Sequence, residues 1–258
     1  MNIDLSGRRA LITGGSEGIG KAIAARLAAS GAAVTIIARD QGKLDRCVEE
    51  IARAGHRIDA VSCDITDEAA LRDSVGRLVV AGPIDILVNN AGSSRRMPLP
   101  QLSRAEIVAD MELKLFAAVD LANLVTPAMK ERRWGRIVNV LSVNGKAPGA
   151  DSAPTTLSRA AGMSLTKVMS RELAPHNILV NAICIGVIKS GQWERRHAAA
   201  GGEGSLEAFM GPQAERIPLG RVGEAEEVGN LACFLVSDQA SYVTGTAINI
   251  DGGLCPVL

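Results

Sequence analysis

The chain has 258 residues, of which 47% are hydrophobic and 2% aromatic, and its 28 Lys and Arg balance 28 Asp and Glu, so the formal net charge is zero. This balance, with no basic run, argues against a nucleic-acid partner. The N-terminal residues lack the long apolar segment of a signal peptide, and no apolar run reaches the roughly 18 residues that a membrane span needs. We therefore expect a cytoplasmic protein with no membrane partner.

The spacing of cysteine and histidine gives no sign of a cross-link or a metal. The five cysteines, at positions 47, 63, 184, 233 and 255, are scattered, and none of them form a Cys-x-x-Cys pair. The three histidines show no ligand spacing either. The sequence therefore predicts neither a disulfide framework nor a metal site.

Near the N-terminus, a short apolar run leads into a glycine-rich turn at residues 13–20 and then into a helix-like segment. A side chain at Gly14, Gly18 or Gly20 would block the sharp turn or the close approach of a diphosphate. The N-terminus of the following helix would offer free N–H groups and the positive end of its dipole to that diphosphate. The stretch predicts a strand, a tight loop and a helix around a nucleotide.

Short apolar runs alternate with longer amphipathic stretches along the rest of the chain. Strands are predicted at residues 10–13, 33–37, 58–62, 84–88, 136–141, 179–183 and 247–250, and helices at residues 19–30, 41–54, 68–80, 104–132, 154–174, 206–214 and 224–236. The strands are continuously apolar, which is typical of strands covered on both faces. The alternation predicts an α/β fold, a Rossmann-type three-layer sandwich with a seven-stranded parallel sheet.

No internal repeat or linker divides the chain, so we expect residues 1–258 to form a single domain. In such a fold the ligand lies beyond the carboxyl ends of the strands. The polar, Gly- and Ala-rich residues 195–205 are predicted to be a mobile loop, within a substrate loop at about residues 189–216.

Several motifs follow one another along the chain: Thr13-Gly14-x-x-x-Gly18-x-Gly20, Cys63-Asp64-Ile65-Thr66, Asn89-Asn90-Ala91-Gly92, Gly135-Arg136-Ile137-Val138-Asn139-Val140, Leu219-Gly220-Arg221, Val243-Thr244-Gly245 and Asp251-Gly252-Gly253. In this order they resemble the short-chain dehydrogenase/reductase family over nearly the full length of the chain. The resemblance implies a nicotinamide cofactor and a small-molecule substrate. The cofactor-binding residues that it implies are Gly14, Ser16, Gly18, Ile19, Gly20, Arg39, Asp64, Ile65, Asn90, Gly92, Arg159 and Ile188.

The residues after the second predicted strand bear on the choice of cofactor. A carboxylate at the end of this strand would accept from the ribose hydroxyls of NAD, whereas an Arg suits a 2′-phosphate. Arg39 stands there, so we expect NADP(H) rather than NAD(H). Asp40 alternatively caps the next helix, and Glu17 stands where many NADP-using relatives carry a basic residue.

The resemblance fails at the catalytic positions. Family members use an Asn, a Ser, a Tyr and a Lys, the last two as Tyr-x-x-x-Lys. Ser142 matches, but Thr155 stands in place of the Tyr, Arg159 in place of the Lys and Lys114 in place of the Asn. A Thr hydroxyl is a far weaker acid than a phenol, and Arg keeps its proton. Lys114 is then the obvious acid–base candidate, because a desolvated Lys beside a cation loses its proton more readily.

These changes leave three functions open. In the first, the protein is an NADP(H)-dependent oxidoreductase: Ser142 and Thr155 bind a carbonyl or alcohol, Lys114 moves the proton and Arg159 holds the nicotinamide ribose. In the second, it is a non-redox lyase or hydrolase, and Lys114 and Arg159 bind a carboxylate or stabilise an enolate. In the third, it is a catalytically inactive subunit that forms a hetero-oligomer with an active relative.

The resemblance also implies assembly. Relatives often form tetramers through the two long helices, here at residues 104–132 and 154–174, and through the C-terminal strand. The apolar residues 254–258 suit burial at such an interface. We therefore expect a homotetramer.

Overall fold

A computed structural model describes residues 3–257, and a seven-stranded parallel sheet lies at their centre. Its spatial order is β3-β2-β1-β4-β6-β8-β9, and a separate antiparallel pair is formed by β5 and β7. The strands are β1 (Arg9–Thr13), β2 (Ala33–Ala38), β3 (Ile58–Ser62), β4 (Ile86–Asn89), β5 (Arg96–Met97), β6 (Gly135–Ser142), β7 (Ala153–Pro154), β8 (Ile178–Ile185) and β9 (Ala247–Ile250).

Helices cover both faces of this sheet. They are α1 (Gly18–Ala29), α2 (Gln41–Arg53), α3 (Glu68–Val80), α4 (Arg104–Met111), α5 (Ala117–Arg132), α6 (Thr155–Leu173), α7 (Gly191–Ala199), α8 (Leu206–Ala214) and α9 (Ala225–Val236). Leu11 packs in the apolar core with α3, α5 and α6, while the next residue, Ile12, packs in the core with α1, α2 and α9. Successive residues of one strand thus face opposite helical layers, which explains the continuous apolar runs. The predicted three-layer fold is confirmed.

The order of the strands creates the place where a ligand binds. The chain runs outward from β1 to β2 and β3, and then returns to β4 on the other side of β1. The loops that leave β1 and β4 therefore diverge in opposite directions, and a crevice opens between them at the carboxyl ends of the strands. The described residues include no helix that is long and apolar enough to cross a membrane.

The segment predicted as one helix at 104–132 is helical throughout but not uniform. Between α4 and α5, a π-helix spans Glu112–Phe116, and it places Lys114 in its middle. π-Helical turns are rare and occur frequently at functional sites. The sequence pattern did not reveal this turn, because the apolar spacing continues through it.

The prediction of a mobile loop at residues 195–205 is wrong for residues 195–199, because these belong to helix α7. This helix is polar, but its Ala, Arg and Glu residues have good helix propensity. Contacts with other elements also hold it: the ring of His197 lies 5.2 Å from that of Phe209 on α8, and Arg195 forms an ion pair with Glu17. The expected substrate loop at 189–216 therefore contains two helices, α7 and α8.

Candidate active site

A cleft of about 840 Å³ opens at the carboxyl ends of the sheet strands, as the strand order requires. One part is lined by the loop after β1 and by the end of β2, and another by the ends of β6 and β8 and by α7. Every residue expected to bind the cofactor lines this one cleft, namely Gly14, Ser16, Gly18, Ile19, Gly20, Arg39, Asp64, Ile65, Asn90, Gly92, Arg159 and Ile188.

The glycine loop is closely packed against the end of β4. Gly14 has φ +63°, a left-handed conformation that favours glycine. A Cβ on Gly20 would lie 2.1 Å from the carbonyl oxygen of Gly14, so no side chain fits there. The amide Nδ2 of Asn90 donates to the carbonyl oxygens of Thr13 and Gly14, at 3.0 Å each. Asn90 therefore stabilises the glycine loop and also lines the cleft.

The N-terminus of α1 faces this loop without a side-chain cap. Its N-cap residue, Glu17, accepts no capping hydrogen bond, whereas Asp40, Asp67 and Ser103 cap α2, α3 and α4. The first N–H groups of α1 are thus left for an acceptor outside the helix. A diphosphate fits this end of the cleft, because these N–H groups and the positive end of the helix dipole both favour an anion.

Two cations stand at the end of β2. The Arg39 guanidinium is 76% exposed and lies 3.7 Å from Asp64 Oδ2. Lys43 also lines the cleft, and its ammonium lies 2.7 Å from Glu17 Oε2. Burial opposes ionisation of Glu17, but hydrogen bonds from Lys43 and Arg195 outweigh it and lower the pKa of this carboxyl. The Asp40 carboxylate accepts from the backbone N–H of Lys43 at 2.9 Å, so it caps α2.

Three of the four expected catalytic residues line the cleft together. Ser142 ends β6, Thr155 begins α6, and Arg159 follows one turn later on the same helix. Nη1 of Arg159 donates to the carbonyl oxygen of Val140 at 3.0 Å, while its Nε is buried and has no partner among the described residues. Burial lowers the pKa of Arg159 to about 10. Gly92 leaves room for this guanidinium, since a Cβ there would lie 2.7 Å from Nη2.

Lys114, the fourth expected residue, lies behind Thr155 rather than at the wall of the cleft. Its side chain is 0% exposed, and its Nζ lies 3.1 Å from Thr155 Oγ1 and 2.5 Å from Asp110 Oδ1. Burial lowers the pKa of Lys114 to about 8, and the charge of Arg159 adds to the effect, although Asp110 opposes it. The Thr155 hydroxyl therefore connects the ammonium to the cleft.

Asp110, which was not among the residues predicted from the sequence, completes this buried cluster. Its second carboxylate oxygen accepts from the Ser158 hydroxyl at 2.6 Å, and its side chain is 1% exposed. A signal for it existed, because Asp110 precedes Lys114 by four residues and so shares a helix face with it. Ser158 lies between the two α6 residues that were singled out, but nothing in its spacing pointed to a buried carboxylate.

The contacts around Thr155 determine where its hydroxyl proton points. A Thr hydroxyl has one proton to donate and two lone pairs that accept. Both lone pairs are used, since the backbone N–H of Arg95 donates to Oγ1 at 2.9 Å and Lys114 donates from the other side. The proton is left for an acceptor in the cleft. Ser142 is similar, because its Oγ accepts from the N–H of Asn144 at 3.2 Å.

Comparisons with known proteins identify what the chain as a whole is similar to. A family model described as enoyl-(acyl carrier protein) reductase matches residues 14–255. A 3-oxoacyl-[acyl-carrier-protein] reductase of Thermotoga maritima is 38% identical over 253 residues, which cover 97% of this chain and 98% of the relative. A gluconate 5-dehydrogenase of Gluconobacter oxydans is 35% identical over 251 residues, or 97% and 95% of the two chains.

A solved structure has the same fold over its whole length. It is the L-sorbose reductase of Gluconobacter frateurii complexed with NADPH and L-sorbose, with a TM-score of 0.94, 30% identity and coverage of 100% of both chains.

Residues 3–257 contain no group of three or more His, Cys, Asp or Glu side chains placed to hold a metal ion.

The buried pair formed by Asp110 and Lys114 makes a prediction about stability. Asp110→Asn and Lys114→Met each leave one buried charge without its partner, so each should lower the free energy of unfolding by about 3 kcal/mol. The double variant should lose less free energy of unfolding than the sum of the two single variants.

Urea unfolding at pH 7 measures the three variants. Glu68→Gln is the control, because it breaks an exposed ion pair of the same spacing. That control should change stability by less than about 1 kcal/mol. Additive or negligible effects at 110 and 114 would contradict the pairing.

Proposed function

Because the chain belongs to the short-chain dehydrogenase/reductase family, we propose that the protein is an NADP(H)-dependent oxidoreductase. It would act on a carbonyl or an alcohol without a Tyr–Lys pair. The observation that carries the proposal is the position of the Thr155 hydroxyl, between the cleft and the buried ammonium of Lys114. The family membership supports the reaction type, and the contacts around Thr155 support a proton route suited to it.

Two hydroxyls would hold the substrate oxygen. Ser142 and Thr155 both line the cleft. The Thr155 oxygen accepts from the Arg95 N–H and from Lys114, and the Ser142 oxygen accepts from the Asn144 N–H. Their protons are free to donate to a carbonyl oxygen. NADP(H), when bound in this cleft, would supply the hydride for reduction of the carbonyl carbon and accept it in oxidation. Arg159, which lines the cleft beside these hydroxyls, would hold the nicotinamide ribose through its guanidinium.

The proton would pass through Thr155. As negative charge grows on the substrate oxygen during reduction, the Thr155 proton moves to it and a Lys114 proton moves to Thr155 Oγ1. Thr155 is thus never left as an alkoxide, which its high pKa would oppose. Lys114 ends neutral, and after the product has left it would regain a proton from water in the cleft through the Thr155 hydroxyl. A pKa of about 8 suits this exchange, because a general acid works best when its pKa lies near the working pH.

The contacts at the end of β2 support NADP(H) over NAD(H). Asp40 caps α2, so its carboxylate is occupied where NAD would need a free acceptor for the ribose. Arg39 and Lys43 bring two cations to the same end of the cleft, as a 2′-phosphate requires. The L-sorbose reductase structure named above contains NADPH.

A cofactor titration tests this choice. NADPH should bind more tightly than NADH when nicotinamide fluorescence is followed. Arg39→Ala should raise the Kd for NADPH by about 10-fold or more, because a hydrogen bond to a charged group contributes about 1.5–3 kcal/mol, and should leave the Kd for NADH nearly unchanged. Arg53→Ala, an exposed charge on α2, is the control. Saturable binding of neither nucleotide would overturn the oxidoreductase proposal.

The pH profile tests the proton route. For carbonyl reduction with NADPH, kcat/KM should fall as the pH rises through about 8, since Lys114 loses its proton there. Alcohol oxidation should show the opposite slope. Lys114→Met should abolish the titration, and Asp110→Asn should move it to lower pH, because the carboxylate that raises the pKa of Lys114 is lost. Lys130→Met, an exposed residue of α5, should leave the profile unchanged.

A different result would favour the other functions. If the natural chain does not oxidise NADPH with any carbonyl tested, while Thr155→Tyr with Arg159→Lys does, the natural protein is not an ordinary reductase. A non-redox lyase or hydrolase, or an inactive subunit beside an active relative, would then remain.

We also propose that the protein is a homotetramer. The large apolar side chains exposed on the two long helical segments support it: Phe116 is 50% exposed, Leu157 42% and Val168 52%. These residues lie on the two long helical segments through which the family resemblance implies that the subunits assemble. Light scattering at micromolar concentration should give four times the chain mass of 26.9 kDa, and Val168→Glu should reduce it. A natural chain that scatters as a monomer would contradict the assembly.

A further inference from the structure

We infer that the substrate carries an anionic group, a carboxylate or a phosphate, and that Arg96 and Arg196 bind it at the mouth of the cleft. The inference rests on the proposed function, since the same cleft would hold the reacting carbonyl. It goes further because it assigns a second binding point and a chemical class to the substrate.

Charge is unevenly distributed along the cleft. Among the described residues, its acidic lining consists of Glu17, Asp40 and Asp64, all at the cofactor end. Each already has partners: Lys43 and Arg195 bind Glu17, the N–H of Lys43 binds Asp40, and Thr66 and Arg39 bind Asp64. Beyond Ser142 and Thr155, the described lining contains no carboxylate, but it contains Arg96, Arg196 and Arg216.

Arg96 lies on the strand next to the start of α6, where the Thr155 hydroxyl is. It belongs to β5 and pairs across the short antiparallel ribbon with Pro154, the residue before Thr155. The preceding residue, Arg95, donates its backbone N–H to Thr155 Oγ1. The Arg96 guanidinium makes a long hydrogen bond of 3.4 Å to the carbonyl oxygen of Ala150. The backbone of Arg96 thus lies beside the start of α6, and no carboxylate within residues 3–257 pairs with its guanidinium.

Arg196 approaches the same place from α7. Its guanidinium carbon lies 4.8 Å from the centre of the Trp193 ring, so the ring supports it. With the Gln192 amide oriented to satisfy its partners, the amide oxygen accepts from Arg196 Nη2 at 3.1 Å and from the N–H of Ser94 at 3.2 Å. Ser94 lies in the segment between β4 and β5. The Gln192 amide of α7 thus contacts both the Arg196 guanidinium and the segment between β4 and β5.

The two guanidinium groups repel each other. Burial lowers the pKa of Arg196, and the charge of Arg96 lowers it further. Within residues 3–257 neither Arg96 nor Arg196 forms an ion pair, although their chain neighbours do: Arg95 pairs with Glu106, and Arg195 pairs with Glu17. An anion between the two would relieve the repulsion and accept from both. Planar guanidinium groups match carboxylate and phosphate oxygens well.

Matched substrate pairs test the inference. The probes are acetoacetate and levulinate against their methyl esters, and dihydroxyacetone phosphate against dihydroxyacetone, each reduced with NADPH. The natural protein should prefer the charged member of a pair, and the preferred pair distinguishes a carboxylate from a phosphate. Arg96→Gln and Arg196→Gln should each raise KM for that charged probe by about 10- to 100-fold, and leave its neutral partner unaffected. Arg72→Gln, an exposed charge on α3, is the control. Equal use of charged and neutral probes would overturn the inference.

A binding measurement separates this inference from the proposed function. If none of the probes is reduced, the oxidoreductase proposal fails for them, and calorimetry with acetoacetate, levulinate and dihydroxyacetone phosphate, with and without NADP⁺, decides the anion site. Binding that is lost in both Arg96→Gln and Arg196→Gln would uphold it. Binding that persists in both variants, or no binding of any charged probe, would overturn it.

Discussion

The burial of one ion pair constrains the whole reactive half of the cleft. Lys114 and Asp110 are shielded from water, and a buried charge is tolerated only where other groups satisfy it. Asp110 reaches Ser158 and Lys114 reaches Thr155, both on α6. The pair therefore joins the π-helical turn to the start of α6 and fixes the hydroxyl that faces the cleft. An apolar residue at position 114 would leave that hydroxyl without its second donor.

The other half of the cleft is formed mainly by backbone groups around the glycine loop. It consists of glycines that admit no side chain and of a helix end without a side-chain cap, and the Asn90 amide donates to two carbonyl oxygens of the loop. Such a surface binds a diphosphate whatever substrate lies beside it. The reactive half depends instead on side chains, so it can change its chemistry while the nucleotide half stays as it is.

The fold and the nucleotide half were predictable because local sequence determines them. Continuous apolar strands indicate a sheet covered on both faces, and glycines at 14, 18 and 20 indicate a tight turn around a diphosphate. The arrangement around Lys114 was not predictable. The π-helical turn keeps the apolar spacing of an α-helix, and the contact with Thr155 joins residues 41 positions apart. The same holds for α7, whose helical state depends partly on contacts with Glu17 and Phe209.

The short ribbon of β5 and β7 also limits how this protein can diverge. Arg96 and the residue before Thr155 face each other across it, so a replacement that displaces one strand shifts the cation at position 96 and the start of α6 together. Helix α7 contacts the segment before β5 through the Gln192 amide, and it lies outside the ribbon. Paralogues that acquire new substrates would be expected to accumulate their changes on α7 and to leave the ribbon intact.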